Sequence, residues 1–179
     1  FHEIVSGMVD ILPTGEIKTD LSWFGDGSSR LRRVGRKFIE VFGQPRKMEK
    51  TAPFEKYHEN VAASFQKVLE EKVLEMCRIL EQKSSAEYLV IAGGVSLNSV
   101  MNGRILRETR FKDLYVMPAA GDNGTSIGAA YVVWNEVLGN SKRYHHDNPY
   151  LGTQYSDEQI EKILKACKLD YVKSHDVCV

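Results

Sequence analysis

The sequence has 179 residues, of which 42% are hydrophobic and 27% are charged, and its basic and acidic residues balance at a net charge of zero. That length suffices for one domain with a full core, and the neutral balance argues against a dedicated nucleic-acid binder, which is normally basic. No apolar run approaches the roughly 18 residues that a membrane-spanning helix needs. The three cysteines are far apart and form no CxxC pair, so we expect a reducing, cytoplasmic setting.

The first half of the chain is predicted to form a hairpin, a basic segment and a long helix. In residues 1–24, Pro13, Thr14 and Gly15 separate two extended-looking runs, a pattern typical of a β-hairpin. Residues 57–83 repeat apolar side chains at three- and four-residue steps and predict one amphipathic helix. Eight basic residues lie between them, and either form a solvated face or contact a phosphate-bearing substrate or RNA: Arg30, Arg32, Arg33, Arg36, Lys37, Arg46, Lys47 and Lys50.

The second half repeats one pattern, over roughly residues 87–109 and 113–138. Each unit has a short apolar run, a turn with glycines and a stretch of helical spacing. In the first unit, we expect the helix to begin directly at Val95. Two successive units of this kind predict parallel strands, with both turns at the same edge of the sheet. The following segment is polar, and Ser156 is the predicted N-cap of a short final helix.

The glycines of the first turn suggest a nucleotide site. Gly93 and Gly94 have no side chains, so a phosphate can come within hydrogen-bonding distance of their backbone. The alternative is a tight turn that only allows the helix to pack closely, and the sequence matches neither GxGxxG nor GxxxxGK[ST]. Asn98 and Asn123 are either contacts to a sugar or phosphate, or solvated helix residues.

Asp122 in the second turn has two interpretations. It is either a plain N-cap that accepts hydrogen bonds from the backbone of Gly124 or Thr125, or a metal ligand. A carboxylate would repel a bare phosphate, whereas a divalent cation between the two would bind both. One carboxylate suits iron, manganese or magnesium alike.

The two turns also resemble a known family. The segments "IAGGVSLNSVMNGRIL" and "FKDLYVMPAAGDNGTSIGAAYVVW", together with "FGQPRKMEK" and "YLGTQYSDEQI", are similar to the O-carbamoyltransferases of the nodulation-protein U family. The resemblance implies an α/β fold, a ribonuclease-H-like lobe of the actin-like ATPase (ASKHA) superfamily with a central mixed sheet flanked by helices. Residues 1–139 would be the second lobe of the carbamoyl-transferring domain, and residues 140–179 a linker and short helix leading toward a YrdC-like domain.

The family resemblance implies a chemistry. Such enzymes take carbamoyl phosphate and ATP, form a carbamoyl-adenylate in the YrdC-like domain, and transfer the carbamoyl group to a hydroxyl of a small-molecule acceptor. Transfer takes place at a divalent metal, with iron as the first candidate, and the resemblance assigns Asp122 as a metal ligand. The residues it assigns to nucleotide binding are Gly93, Gly94, Asn98, Gly121, Asn123 and Gly124.

Two motifs of that family are absent from the sequence, an HxxxH histidine pair and a GPRALG-type motif. We therefore expect a segment of a longer protein, inactive by itself, whose partners are the first lobe and the YrdC-like domain of the same full-length chain. His58, His145 and His146 are expected to be solvated. A homodimer through surfaces that the first lobe would cover is an open alternative, as are a sugar-kinase-like phosphotransferase and a non-catalytic interaction module.

Overall fold

The computed structural model describes residues 1–25, 34–44, 46, 53–145, 150 and 152–174. The chain divides into two compact units, Phe1–Lys142 and Arg143–Val179. No helix within the described ranges is long and apolar enough to cross a membrane. The overall class is mixed α/β, as the sequence predicts.

The chain begins with a short helix and a hairpin. Helix α1 spans His2–Ser6, and strands β1 (Val9–Ile11) and β2 (Ile17–Thr19) pair antiparallel, which confirms the hairpin. The prediction of an extended first run is wrong at α1. This helix has only five residues, and the burial of Val5, which is 3% exposed, holds it in place through packing that local spacing does not reveal.

A long helix organises the first unit. After α2 (Arg36–Phe42), helix α3 spans Lys56–Lys83, which confirms the predicted helix to within one residue at its start. Its 28 residues extend about 42 Å. Two apolar clusters pack along it: one contains Val5, Met8, Trp23, Phe42 and Val68, and the other contains Leu74, Cys77, Leu89, Met101, Ile105 and Phe111.

The two predicted strand–turn–helix units follow α3. They consist of β3 (Tyr88–Ile91) with α4 (Ser99–Glu108), then β4 (Asp113–Val116) with α5 (Thr125–Tyr131). The strands pair in parallel from Tyr88 opposite Asp113 to Ile91 opposite Val116, as predicted. The expectation that the first helix starts at Val95 is wrong. A single 3₁₀ turn occupies Gly94–Leu97, and α4 begins only after Asn98.

The predicted central mixed sheet does not occur among the described residues. The strands there form two separate two-stranded sheets, one of β1 and β2 and the other of β3 and β4. Both sheets contribute to the apolar surface around α3, but neither pairs with the other. After α5, the backbone continues through a π-helical segment, Val132–Val137.

The second unit contains helix α6, Asp157–Ala166. Ser156 caps it as predicted: the N–H of Gln159 donates to Ser156 Oγ at 3.3 Å, and the N–H of Ser156 donates to Gln159 Oε1 at 2.8 Å. This reciprocal pair is a capping box, which satisfies the backbone N–H groups of Ser156 and Gln159 at the start of the helix.

Two described members of the basic cluster form ion pairs on the surface of the first unit. Arg36 pairs with Glu40 at 2.7 Å, and Lys37 pairs with Asp20 at 3.0 Å. The Lys37 ammonium also lies 4.2 Å from the centre of the Trp23 ring. Arg30, Arg32, Arg33, Lys47 and Lys50 lie outside the described residues. For Arg36 and Lys37, the structure favours a solvated, ion-paired face.

Candidate functional site

The two glycine turns meet at one edge of the β3–β4 sheet. Since the strands are parallel, their carboxyl ends point the same way, and each turn begins where its strand ends. The N–H of Gly93 donates to the carbonyl of Ala120 at 2.8 Å, which joins the two turns directly. The N–H of Met117 donates to the carbonyl of Ile91 at 3.4 Å just below. The predicted site residues on these turns therefore lie in neighbouring segments of backbone.

The first turn is fixed by hydrogen bonds from a buried serine, and the space beside its glycines is open. Gly93 has a φ of 94°, a conformation that side-chain-bearing residues rarely adopt. Ser96, which is 3% exposed, fixes the turn because its N–H and its hydroxyl both donate to the Gly93 carbonyl, at 3.0 and 2.7 Å. A methyl group added at Gly93 or at Gly94 would meet no atom of the described residues within 4 Å. Packing therefore does not require Gly94, and the space beside it is free for a ligand.

Asn98 is the N-cap of α4. Its Oδ1 accepts a hydrogen bond from the N–H of Met101 at 3.0 Å. Its amide also exchanges two hydrogen bonds with the amide of Gln66 on α3: Asn98 Nδ2 donates to Gln66 Oε1 at 2.8 Å, and Gln66 Nε2 donates to Asn98 Oδ1 at 3.1 Å. The sequence presented Asn98 as a sugar contact or a solvated residue, whereas the structure gives its side chain a capping role that fixes its orientation.

A charged network continues from Gln66 behind the turn. Gln66 Nε2 also donates to Glu70 at 2.6 Å, and Arg104 donates to Glu70 at 2.9 Å and to Glu108 at 2.6 Å. Glu70 is 8% exposed, and its hydrogen bonds from Arg104 and Gln66 hold its pKa below the ordinary value. The hydrogen bonds that Arg104 donates to Glu108 and to Glu70 raise the pKa of Arg104 further above its usual range. The network ties α3 to α4 and thereby supports the turn that precedes α4.

Sequence reasoning did not identify Gln66, Glu70 or Arg104. Gln66 and Asn98 are 32 positions apart, and Glu70 and Arg104 are 34 apart. The signal available in the sequence was weak: Glu70 is a charged residue within the helical stretch 57–83, three and four residues before Val73 and Leu74.

The second turn is sterically tight. A methyl group at Gly124 would lie 2.0 Å from the carbonyl oxygen of Ala119, a distance that no side chain tolerates. At Gly121, the corresponding methyl would sit 3.5 Å from Asn123 Oδ1, an ordinary contact. The N–H of Gly124 donates to the Gly121 carbonyl at 3.0 Å and closes the turn. Gly124 is therefore required for the shape of the turn, whatever binds beside it.

The carboxylate of Asp122 is exposed and accepts no hydrogen bond from the described residues. The N-cap interpretation of Asp122 is wrong, because the N–H of Gly124 donates to the Gly121 carbonyl and the N–H of Thr125 donates to the backbone carbonyl of Asp122, so neither reaches its side chain. The Thr125 hydroxyl donates to the same Asp122 carbonyl at 2.6 Å. Asn123 is exposed as well, and its backbone carbonyl accepts from the Ser126 hydroxyl at 3.2 Å. An unengaged carboxylate beside an open turn can bind a cation.

Beside the turns, Asp122 can supply one ligand for a hard divalent cation, but the described residues do not supply a complete metal site. Within the described ranges, no group of three or more histidine, cysteine, aspartate or glutamate side chains is placed to hold a metal. A stable site needs several oxygen or nitrogen ligands besides Asp122. His58 does not supply one, since its Nδ1 accepts the N–H of Glu55 at the start of α3; His146 lies outside the described residues.

The family is settled by comparison with known proteins. The family described as "Carbamoyltransferase N-terminus" matches residues 14–131, about two thirds of the chain. The chain therefore belongs to the carbamoyltransferase family, which confirms the resemblance carried by the two glycine turns. Both turns and all seven residues assigned to the site fall inside the matched range.

Three relatives illustrate the range of similarity. An uncharacterised protein of Synechocystis sp. is 34% identical over 182 residues, covering 97% of this chain and 29% of its own length. Nodulation protein NolO of Bradyrhizobium diazoefficiens is 29% identical over 180 residues, covering 99% of this chain and 30% of its own length. The tRNA N6-adenosine threonylcarbamoyltransferase of Lactococcus lactis is 34% identical over 85 residues, which is 46% of this chain and 25% of that protein. The matched stretch thus covers less than a third of the length of each of these relatives.

Proposed function

We propose that the full-length protein is a cytoplasmic O-carbamoyltransferase that moves a carbamoyl group to a hydroxyl of a small-molecule acceptor. The carbamoyl group comes from carbamoyl phosphate and is activated with ATP as a carbamoyl-adenylate. One observation carries the proposal: two glycine turns of the family's matched range are joined by the Gly93–Ala120 hydrogen bond, with open space on one turn and a free carboxylate on the other.

Each turn has its own task in this proposal. The backbone at Gly93 and Gly94 would receive the phosphate of the adenylate, since no side chain obstructs the approach and Ser96 keeps the turn rigid. Asn98 still has one amide hydrogen beyond its bond to Gln66, and that hydrogen is available to a ribose or phosphate oxygen. Gly121, Asn123 and Gly124 would contact the nucleotide from the neighbouring turn.

Asp122 would hold the metal together with ligands from the rest of the full-length protein, and iron is the first candidate. A bound divalent cation would neutralise phosphate charge or polarise the carbamoyl carbonyl. In the transfer itself, the acceptor oxygen forms a bond to the carbamoyl carbon, the bond from that carbon to the AMP oxygen breaks, and the hydroxyl proton goes to a base. The products are the carbamate ester and AMP.

We also propose that residues 1–139 form the second ribonuclease-H-like lobe of an actin-like ATPase domain. The similarity to the threonylcarbamoyltransferase and the parallel β3–β4 pair support this assignment. The first lobe and a YrdC-like domain would then be supplied by the same full-length chain, and the 179-residue segment alone would not turn over. A homodimer is compatible with this proposal.

The nucleotide product distinguishes this function from its nearest rival. The full-length protein is incubated with carbamoyl phosphate, ATP, iron(II) and a set of hydroxyl-bearing acceptors, and the nucleotides are separated by chromatography. The proposal predicts AMP and a carbamoylated acceptor. If ADP and a phosphorylated acceptor form instead, the protein is a sugar-kinase-like phosphotransferase. If the protein binds nucleotide and neither set of products forms, a non-catalytic module is supported.

A further inference from the structure

Two side-chain amides, those of Gln66 on α3 and Asn98 at the start of α4, form a reciprocal pair. Asn98 Nδ2 donates to Gln66 Oε1 at 2.8 Å, and Gln66 Nε2 donates to Asn98 Oδ1 at 3.1 Å. The donor end and the acceptor end of an amide have nearly the same shape, so the surrounding groups decide which end faces which way. Such groups lie on both sides of this pair.

Charged groups fix the orientation of Gln66. Glu70 is 8% exposed, and its hydrogen bonds hold its pKa below the ordinary value of 4.5, so its carboxylate can only accept hydrogen bonds at neutral pH. One carboxylate oxygen accepts from Gln66 Nε2 at 2.6 Å, and the other accepts from Arg104 at 2.9 Å. Arg104 is held in turn by two hydrogen bonds to Glu108, at 2.6 and 2.8 Å. Gln66 must therefore direct its Nε2 to Glu70, which leaves its carbonyl oxygen as the acceptor for Asn98.

A backbone group fixes the orientation of Asn98 from the other side. The N–H of Met101 can only donate, and it donates to Asn98 Oδ1 at 3.0 Å. Together with the hydrogen bond from Gln66, this bond occupies both lone pairs of Oδ1. The Nδ2 group donates one of its two hydrogens to Gln66, and no described residue accepts the second. Both sides of the pair thus require one arrangement, in which Asn98 has a spare N–H and no spare acceptor.

We infer that Gln66 is a positioning residue, which orients the Asn98 amide so that it offers an N–H, and not a carbonyl, to an oxygen of the bound nucleotide. Glu70 and Arg104 act one step further away, because they fix the orientation of Gln66. This positioning role rests on the proposed function, which supplies the nucleotide. It adds that the ligand group beside Asn98 is a hydrogen-bond acceptor, either a phosphate oxygen or a ribose oxygen.

A double-mutant cycle tests whether Gln66 acts through Asn98. Gln66→Leu removes both hydrogen bonds of the pair, whereas Asn98→Ser removes the amide but keeps a side-chain oxygen that can cap the helix. Binding of AMP to the full-length protein is followed by NMR on the backbone amide of Gly94, whose signal is identified by its absence from Gly94→Ala. We expect each single variant to bind AMP about tenfold more weakly, and the double variant to bind it no more weakly than Asn98→Ser. Gln82→Leu, at an exposed position of the same helix, is the control and should bind as wild type does.

Glu70→Gln changes the orientation of the pair without removing it. The substituted side chain would turn its oxygen to Arg104 and its NH₂ group to Gln66, which reverses the Gln66 amide and sets two N–H groups against each other at Asn98. We expect AMP to bind about tenfold more weakly here too, although the hydrogen bonds of Glu70 go only to Gln66 and Arg104. The side-chain NH₂ signal of Asn98 should shift on addition of AMP in wild type, and this shift should be lost in Glu70→Gln and in Gln66→Leu.

The possible failures are distinguishable. An affinity in the double variant about 100-fold below wild type would overturn the positioning role, because the two residues would then act independently. Wild-type affinity in Gln66→Leu or Glu70→Gln would also overturn it, even with a lowered Tm, since the network would then only stabilise the fold. If AMP leaves the Gly94 signal of the wild-type protein unchanged, the proposed nucleotide site fails, and the positioning role fails with it.

The same cycle with adenosine identifies the accepting oxygen. Coupling between Gln66 and Asn98 that persists with adenosine supports the positioning role and assigns the oxygen to the ribose. Coupling with AMP but not with adenosine supports the role equally and assigns the oxygen to the phosphate.

Discussion

The glycines at 94 and 124 differ in what an added methyl group would meet, and this difference yields a matched pair of substitutions. At Gly124, the new methyl would lie 2.0 Å from the carbonyl oxygen of Ala119. Restoring an ordinary contact of about 3.4 Å requires the two backbone segments to separate by roughly 1.4 Å. We expect Gly124→Ala to lower the free energy of unfolding by about 3 kcal/mol, the upper end of the range for overpacking.

At Gly94, the same methyl meets nothing within 4 Å, and the residue has no positive φ. Gly94→Ala should therefore change the free energy of unfolding by less than about 0.5 kcal/mol. If a nucleotide phosphate approaches this backbone, however, the methyl occupies its place, and affinity should fall by at least about tenfold.

The two variants are compared with wild type in the full-length protein by thermal unfolding and by nucleotide titration. In the unfolding transition of a unit of this chain's size, Gly124→Ala should lower the Tm by about 6–12 °C. Gly94→Ala should leave the Tm unchanged and weaken nucleotide binding. An unchanged affinity in Gly94→Ala would show that the open space beside the first turn is not where the phosphate lies. An unchanged Tm in Gly124→Ala would show that the tight second turn is incorrectly described.

Two further predictions concern the core behind the site. Arg104→Leu should lower the free energy of unfolding at pH 7 by about 2–3 kcal/mol, because it leaves the Glu70 carboxylate buried without its cation. The pairing lowers the pKa of Glu70, so its stabilisation is present above the ordinary value of 4.5 and is lost as the pH falls through the lowered value. The Tm difference between variant and wild type should thus shrink as the pH falls below 4.5; a difference that stays constant would contradict the pairing. Burial raises the pKa of the Cys77 thiol, whereas Cys167 is exposed, so iodoacetamide and peptide mapping should show Cys167 alkylated about 100-fold faster in the native protein. Comparable rates would mean that the cluster around Cys77 opens readily.

The long helix and the two strand–turn–helix units could be predicted because their signals are local and repeated. Helix α3 has apolar residues at helical steps over 28 positions, and Gly93 comes two residues after the end of β3, although β4 ends at Val116, five residues before Gly121. The parallel pairing followed from the order of these elements alone. The hairpin was equally local, with Gly15 at a φ of 91° in its turn.

The parts that sequence could not predict depend on residues far apart in the chain. Helix α1 is stabilised by burial of Val5 against residues from α2 and α3, which no five-residue pattern reveals. The start of α4 was expected too early because Leu97 lies three and four residues before Val100 and Met101, yet Asn98 caps the helix, and Gln66 on α3 holds the Asn98 side chain. The described part of the chain has two small sheets where one mixed sheet was predicted, because sheet formation depends on which strand edges find partners, and strand propensity does not reveal that.

We propose that Asp122 serves carbamoyl transfer as a metal ligand. The most direct measurement compares wild type, Asp122→Ala and the control Asp10→Ala, which removes an exposed carboxylate from β1, in the full-length protein with carbamoyl phosphate, ATP, iron(II) and acceptor. AMP release and bound iron are measured together. We predict that Asp122→Ala loses bound iron and at least about 100-fold of the AMP-forming rate, whereas Asp10→Ala retains both. If Asp122→Ala keeps its iron and its rate, the account of the second turn as a metal-binding turn is contradicted.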